Sequence, residues 1–452
     1  MDIGELHGIF LSCGSVSTDT RKIKAGSLFF ALKGENFDGN EFAVNALESG
    51  AAFAVVNEGS QADIGKSAFV NENGVCRIIA VEDTLKTLQD LAAYHRDHVF
   101  ADGRRLTVIG LTGTNGKTTT KELIRAVLSA KYNVVATEGN LNNDIGVPLS
   151  LLKIDSDTQL AVIEMGASHP EDIRCLTSIS HPDFGLITNV GKAHLQGFGS
   201  FEGVKKAKGR MYDYLNDNGG KAFVNADDAV LVEMAAERAG LGTIPYGVGF
   251  DGVEILPSSA EFPFLRMAIP TVEGKIEIDT HLIGAYNANN VMAAISIGRH
   301  FGVSLESAVA AVDSYVPANN RSQMRKTDKN IVISDAYNAN PTSMAAALDS
   351  FRQVESPRKV VLLGDMRELG RDSVPEHIKV LREAESLGLD SIYLVGEEFR
   401  KALVNVGRRS NVHWFPTSEE LASHLVEKPL SGCTVLVKGS RGTEMEKVMP
   451  GL

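Results

Sequence analysis

The chain has 452 residues, with 43% hydrophobic and 23% charged content, the composition of a globular protein of about three domains. Its net charge of −12, without a long basic run, argues against non-specific nucleic-acid binding and against docking on anionic membranes. The N-terminal MDIGELHGIFLSCGSVSTDTRK lacks the layout of a signal peptide, and no apolar run approaches the ~20 residues of a membrane span. The four cysteines, at 13, 76, 175 and 433, show no pairing or zinc spacing, so a reducing cytoplasm is the expected location.

In chain order, residues 1 to about 83 read as a small α/β unit. Strands are expected at 27–34, 53–58 and 75–81, and a helix at 41–50 that ends on a glycine. A charged helix at 83–98 and an Asp-Gly turn at 102–103 lead to the most informative stretch, LTVIGLTGTNGKTTTKE at 106–122. Here a β-branched apolar run enters a glycine-bearing loop and a helical pattern begins at once. Backbone N–H groups and a helix N-terminus then face an anion, Lys117 adds a point charge, and the Thr118 hydroxyl can ligate Mg²⁺. The spacing departs from G-x-x-x-x-G-K-[ST], because Leu111 occupies the first glycine position. The strand–loop–helix context carries the assignment.

Short strands then alternate with helices, at 106–112, 133–136, 160–165 and 185–190, which predicts a mostly parallel sheet covered on both faces. Glu164 ends one of these strands within LAVIEMGASH; it suits either a Mg²⁺ ligand or a capping acid. His194 follows the next strand in a glycine-rich turn and reads as a ligand or as a structural histidine. Lys205, Lys206, Lys208 and Arg210 cluster at 204–212, mostly as a solvated helix face. From about 221 to 283 the pieces shorten and become strand-like.

GAYNANN at 284–290 opens a helix, where asparagines either cap it or meet an adenine edge. PANNRSQ at 317–323 punctuates the chain before a third unit with strands at 331–337, 359–365, 391–396 and 433–440, a second doubly wound pattern. SDAYNANPTSM places Asp335, Asn338 and Asn340 at the C-terminal edge of that sheet, where such folds bind ligands. The turns GDMRELG and KGSRGTEM add Asp365, Arg367, Lys438 and Arg441 to the same rim.

Taken together, SVSTDTRKIKAGSLFFALKGENFDG, TGTNGKTTTKE, ATEGNLNNDIGVPLSLL, AVIEMGASH, AHLQGFGS, AKGRMY, GAYNANN, DAYNANPTSM, LLGDMRELG and VLVKGSRG resemble the Mur ligases of peptidoglycan synthesis. GNLNNDIGVP and DAYNANP point to the branch that adds D-alanyl-D-alanine rather than glutamate, diaminopimelate or lysine. The resemblance implies three domains: an N-terminal α/β domain for the UDP-sugar (1–83), a central P-loop ATPase domain with a mostly parallel sheet (84–314), and a C-terminal Rossmann-like domain (315–452). It implies an ATP-dependent amide ligase, expected as a monomer, that joins D-alanyl-D-alanine to UDP-N-acetylmuramoyl-tripeptide through an acyl phosphate, using ATP and two Mg²⁺ ions. The same apparatus in another branch, or in a folylpolyglutamate synthetase, is the alternative. A nucleotide-gated regulator that hydrolyses ATP without forming a bond is a further alternative of another class, and the chain lacks its switch elements.

The residue roles follow the resemblance. Gly113, Thr114, Asn115, Gly116, Lys117, Thr118 and Thr119 hold the phosphates, with Thr118, Glu164 and His194 on the metals. Lys208 matches the position that the family carbamylates. Asn287 and Asn290 match the adenine side, while Arg321 and Asp335 reach the nucleotide from the C-terminal domain; Arg325 is a second candidate for the arginine. Ser17, Thr18, Asp19, Thr20, Arg21 and the Asp38-Gly39 turn serve the UDP-sugar. Thr137, Asn140, Asn142 and Asn143 lie along the tripeptide, and Tyr337, Asn338, Asn340 and Pro341 line the dipeptide or nucleotide side.

Overall fold

A computed structural model describes residues 1–70, 74–100, 105–257, 262–317, 323–407 and 409–452. The expected turn at 102–103 and Arg321 lie outside the described residues. The chain divides into two compact units. One comprises Met1–Gly110, Tyr132–Gly166 and Asp172–Gly185, the other Leu111–Lys131, Ala167–Glu171 and Leu186–Leu452.

The first unit contains a four-stranded parallel sheet in chain order: Val16–Ser17, Leu28–Phe30, Phe53–Asn57 and Ile78–Val81. Its apolar residues, Phe29, Ala31, Val56 and Ile78, pack with Ala43 and Leu47 of the helix Ala43–Glu48. Two further helices belong to this unit. The helix Thr84–His98 is N-capped by Asp83, whose carboxylate accepts the Lys86 N–H at 2.9 Å. The helix Ile3–Ser12 begins with a reciprocal capping box between Asp2 and Glu5. The two meet through buried imidazoles: His7 Nε2 lies 3.0 Å from His95 Nδ1, and His95 Nε2 lies 2.8 Å from the Ile154 carbonyl. Val134–Ala136 and Leu160–Glu164 form a parallel pair in the same unit.

In the second unit, the helix Lys117–Ser129 packs against Ala288–His300, whose Gly298 leaves room for Val127. Lys221–Asn225 and Gly242–Tyr246 pair in parallel. The stretch expected to turn strand-like contains a small antiparallel sheet of Glu254–Leu256, Arg266–Thr271 and Gly274–Asp279.

The last part of this unit is a six-stranded sheet in the order Gln323–Lys326, Ile331–Asp335, Thr434–Lys438, Lys359–Gly364, Ser391–Val395, Val412–Phe415. Only its first pair is antiparallel. Alternation along the strands splits the core into two layers. Ile333, Val361, Leu363, Ile392, Leu394 and Leu436 face Met344, Leu381 and Phe399, one from each of the helices Pro341–Gln353, Ser373–Ser386 and Glu397–Val406. Val332, Val360, Leu362, Val435 and Val437 face Leu421 of the helix Ser418–Glu427 together with Met445 and Val448. Helices on both faces make this the doubly wound sheet expected from its strand pattern.

Candidate active site

The phosphate loop is built on two glycines that no other residue replaces easily. Gly113 has φ +149° and Gly116 φ +80°, conformations that side chains rarely adopt. A Cβ at Gly113 would lie 1.8 Å from Thr188 Oγ1, and one at Gly116 would lie 2.8 Å from Asn290 Oδ1. The loop is braced from below by the chain beyond the strand Phe184–Ile187. Thr114 N–H donates to the Asn189 carbonyl (3.0 Å) and Asn115 N–H to Asn189 Oδ1 (3.0 Å). In return Thr188 Oγ1 and Asn189 Nδ2 donate to the Asn115 carbonyl at 2.7 and 3.0 Å. Thr114 Oγ1 accepts the Gly191 N–H at 2.9 Å. Sequence reasoning does not single out Thr188, Asn189 or Gly191; the only signal is a polar Thr-Asn at the end of an apolar run.

Positive charge converges on one point. Lys117 Nζ donates to the Gly113 carbonyl at 2.8 Å and to the Thr114 carbonyl at 3.3 Å. Lys208, buried on the helix Phe201–Asp217, donates to the same Gly113 carbonyl at 2.9 Å. Thus Lys208 leaves the solvated face expected for most of its basic cluster. Lys205, by contrast, pairs outward with Glu233. Thr118 and Thr119 occupy the first turn of the helix Lys117–Ser129. His194 has a left-handed backbone (φ +49°), and its Nδ1 is bonded by the Glu368 carboxylate. Burial lowers its pKa; Glu368 opposes the shift and the charges of Lys117 and Lys208 add to it.

Asn287 and Asn290 are buried and linked to each other (2.9 Å), and Asn287 Nδ2 donates to the Ile283 carbonyl. Asn290 lies beside Gly116, at the start of the phosphate-loop helix. From the six-stranded sheet, Asn340 Nδ2 donates to Asn115 Oδ1 at 2.7 Å. Asn340 also N-caps Pro341–Gln353 by accepting the Ser343 N–H at 2.9 Å. Asp335 is bonded by the buried Lys438, whose Nζ also reaches the Asn338 carbonyl at 3.4 Å. The Arg441 guanidinium lies over the Tyr337 ring, 5.8 Å from its centroid. Asp365, expected on this rim, turns inward and accepts the N–H groups of Glu398 and Phe399 at 2.9 Å each.

The first unit holds the remaining candidates. Glu164 is buried; Asn142 Nδ2 donates to its carboxylate at 2.9 Å, and its N–H donates to Thr137 Oγ1 at 2.9 Å. Asn143 Oδ1 accepts the Gly146 N–H at 2.9 Å, while Asn140 is exposed. Ser17 Oγ donates to the Asp19 carbonyl at 3.0 Å. Asp19 takes a two-pronged contact from Arg21 at 2.9 Å, which pulls its carboxyl down to about 2; Thr18 and Thr20 flank it. Asp38 accepts the Asn40 N–H at 2.9 Å and starts the turn Gly39–Phe42.

Among the described residues no three His, Cys, Asp or Glu side chains form a ready-made metal cluster. Thr118 in the second unit and Glu164 in the first each carry an oxygen donor of the kind that Mg²⁺ takes, an ion that uses one or two protein ligands, keeps waters and shares substrate phosphates. No described helix is long and apolar enough to cross a membrane.

Three family profiles match the chain: Mur ligase family, catalytic domain, over 13–96; Mur ligase middle domain over 111–298; and Mur ligase, glutamate ligase domain, over 320–441. The UDP-N-acetylmuramoyl-tripeptide–D-alanyl-D-alanine ligase of Escherichia coli K12 is 32% identical, with 99% of this chain and 96% of that protein aligned. A crystal structure of MurF from Acinetobacter baumannii superposes with a TM-score of 0.84 at 31% identity, covering 99% of this chain and 97% of that one. MurF ligase from Thermotoga maritima, solved in complex with ADP, gives a TM-score of 0.81 at 25% identity, over 98% and 97% of the two chains.

Proposed function

This chain belongs to the Mur ligase family and is an ATP-dependent ligase that joins D-alanyl-D-alanine to UDP-N-acetylmuramoyl-tripeptide in peptidoglycan synthesis, and we propose that it does so through an acyl phosphate formed over Gly113. The observation that carries this is the meeting of Lys117 and Lys208 on one carbonyl, at 2.8 and 2.9 Å, where a helix begins. Two ammonium groups repel at such range, so the arrangement favours an anion there, either a phosphate between the two cations or a carbamate formed on Lys208 itself. The γ-phosphate of ATP and the terminal carboxylate of the tripeptide are both anions that must approach each other.

In the first step a carboxylate oxygen attacks Pγ, the bond from Pγ to the bridging oxygen breaks, and ADP leaves. In the second, the free amine of D-alanyl-D-alanine attacks the acyl carbon, a C–N bond forms, the C–O bond to phosphate breaks, and the proton that the nitrogen sheds leaves with the phosphate as HPO₄²⁻. Catalysis of such transfer is mainly positioning and charge neutralisation. Lys117 and the loop N–H groups bind the β- and γ-phosphates. Thr118 and Glu164 would hold Mg²⁺, with His194 beside a second ion; bound Mg²⁺ would neutralise charge on the phosphates.

Lys208 is carbamylated in this reading, which replaces a cation beside the metal by an anion. Lys208→Ala should then lose activity and regain part of it with short carboxylic acids; full activity without them would refute the carbamate. Asn287 and Asn290 serve the adenine side, and Asp335 and Arg321 or Arg325 the nucleotide. Ser17 to Arg21 with Asp38 bind the UDP-sugar; Thr137, Asn140, Asn142 and Asn143 meet the tripeptide; Tyr337, Asn338, Asn340 and Pro341 line the dipeptide or nucleotide side. The division at 83/84 and 314/315 into three domains, a monomeric state and a cytoplasmic location belong to the same reading. ADP release is the decisive assay. Sustained release over many turnovers should require both UDP-N-acetylmuramoyl-tripeptide and D-alanyl-D-alanine, and glutamate or diaminopimelate should not substitute for the dipeptide. Sustained ADP release without the dipeptide, beyond the single turnover that forms the acyl phosphate, would instead indicate a hydrolase.

A further inference from the structure

Two segments far apart in the sequence meet at His194. One is the loop 192–199, the other the turn GDMRELG at 364–370. The Glu368 carboxylate bonds His194 Nδ1, the Glu368 carbonyl accepts the Gln196 N–H at 3.1 Å, and Lys192 pairs with Glu376 at 2.8 Å. Leu195 and Phe198 share a core with Met366 and Leu369.

The turn itself is fixed residue by residue. Asp365 accepts two helix N–H groups, Met366 N–H donates to His377 Nε2 at 2.9 Å, and Arg367 donates to the Gly442 carbonyl at 2.8 Å. Leu369 is buried. Glu368 is thus presented by a rigid bracket. Both partners are also in the left-handed region, His194 at φ +49° and Glu368 at φ +63°. Among the described residues only four that are not glycine have positive φ, and two of them touch each other here. Such strain persists where the surroundings over-determine it, and it clusters at functional sites.

We propose that Glu368 is a positioning residue for His194: its carboxylate accepts the Nδ1–H, fixes the tautomer, and leaves Nε2 to face the phosphate site. This rests on the role given to His194 above. No other hydrogen bond engages the ring among the described residues, so Nε2 is the nitrogen available to a ligand. A carboxylate behind a histidine orients the ring and raises its basicity, and its loss typically costs about 10- to 100-fold in metal affinity or activity.

The test compares Glu368→Ala with Glu368→Gln, whose amide oxygen can still accept the Nδ1–H. Nitrogen-15 NMR of the imidazole in the metal-free protein reads the tautomer directly. Wild type and E368Q should carry the proton on Nδ1, and E368A should shift toward Nε2–H. E368A should lose kcat by about 10- to 100-fold and need about tenfold more Mn²⁺ for half-activation, with E368Q within about fivefold of wild type. KM for D-alanyl-D-alanine should stay within about threefold in both. Should E368A fail to fold, Glu368→Asp, too short to reach Nδ1, is read in the same way. An unchanged tautomer, a wild-type kcat in E368A, or equal loss in E368A and E368Q would overturn the proposal. His194→Ala separates the two levels. If it keeps full activity, the role of His194 falls and Glu368 with it. If it is inactive while E368A is normal, only the positioning role falls.

Discussion

A single carbonyl, that of Gly113, organises the chemistry at the smallest scale. Its residue has φ +149° and a prospective Cβ 1.8 Å from Thr188 Oγ1, so Gly113→Ala would move either the loop or Thr188. We expect that variant to bind ATP at least about tenfold more weakly, measured by calorimetry, because N–H groups shifted from the phosphate are left without their partner. Lys117→Met should abolish ligation, read as loss of ADP release, while Gly113 and Thr114, whose carbonyls accept from Lys117, keep their loop through the bonds of Thr114 and Asn115 to Asn189. Most of these residues are legible in the sequence itself. Gly-Lys-Thr after a strand has a mechanism attached to it, and so has an acid at a strand end. Thr188 and Asn189 are not legible in this way, because a brace acts through main-chain geometry and leaves no spacing to read. Glu368 is hidden for another reason: its partner is 174 positions away.

Among elements, the helix Ile3–Ser12 is absent from the expected set, although Asp2 and Glu5 carry a capping-box spacing. Elsewhere the expected strands run long by a few residues. The stretch 185–190, for example, contributes to the strand Phe184–Ile187 and then breaks off to brace the loop. Pairing register and bulges depend on neighbours that a single strand does not encode. The docking of Ile3–Ser12 on Thr84–His98 has a pH signature. His7 faces His95, His98 and Tyr94, and burial, with the two histidines, lowers it to about 4 from its ordinary 6.5. The unfolded chain therefore takes up the proton first. Stability is fully present above about pH 6.5 and is lost as pH falls toward 4, by about 1–2 kcal/mol. Urea unfolding at pH 7 and pH 4.5 should show this loss, and His7→Gln, which keeps a donor toward His95, should reduce it.

At the scale of the whole molecule, the doubly wound C-terminal sheet is legible from apolar runs separated by helical spacing. Its strand order is not, because the insertion of Thr434–Lys438 between Ile331–Asp335 and Lys359–Gly364 is decided by packing. The same holds for the bond between Asn115 and Asn340, 225 positions apart, which joins the phosphate loop to the cap of a helix on that sheet. A double-mutant cycle on Asn115→Ala and Asn340→Ala should show a coupling of about 1 kcal/mol in unfolding free energy. Independent effects, within about 0.3 kcal/mol of additivity, would mean that the bond contributes nothing.

That strand order has a consequence for how the protein is made. During synthesis the strands 331–335 and 359–364 emerge long before 434–438, yet neither has its inner neighbour until then. For much of that interval each exposes an unpaired apolar edge, the condition under which nascent chains aggregate or recruit chaperones. Completion of the sheet also delivers Lys438 to Asp335 and Ser440 to the Asp365 carbonyl, so the rim of the site is assembled by the final strand. Truncation before Thr434 would leave the sheet open through its middle, and pulsed proteolysis of ribosome-bound intermediates should find 359–415 cleavable until that strand has emerged.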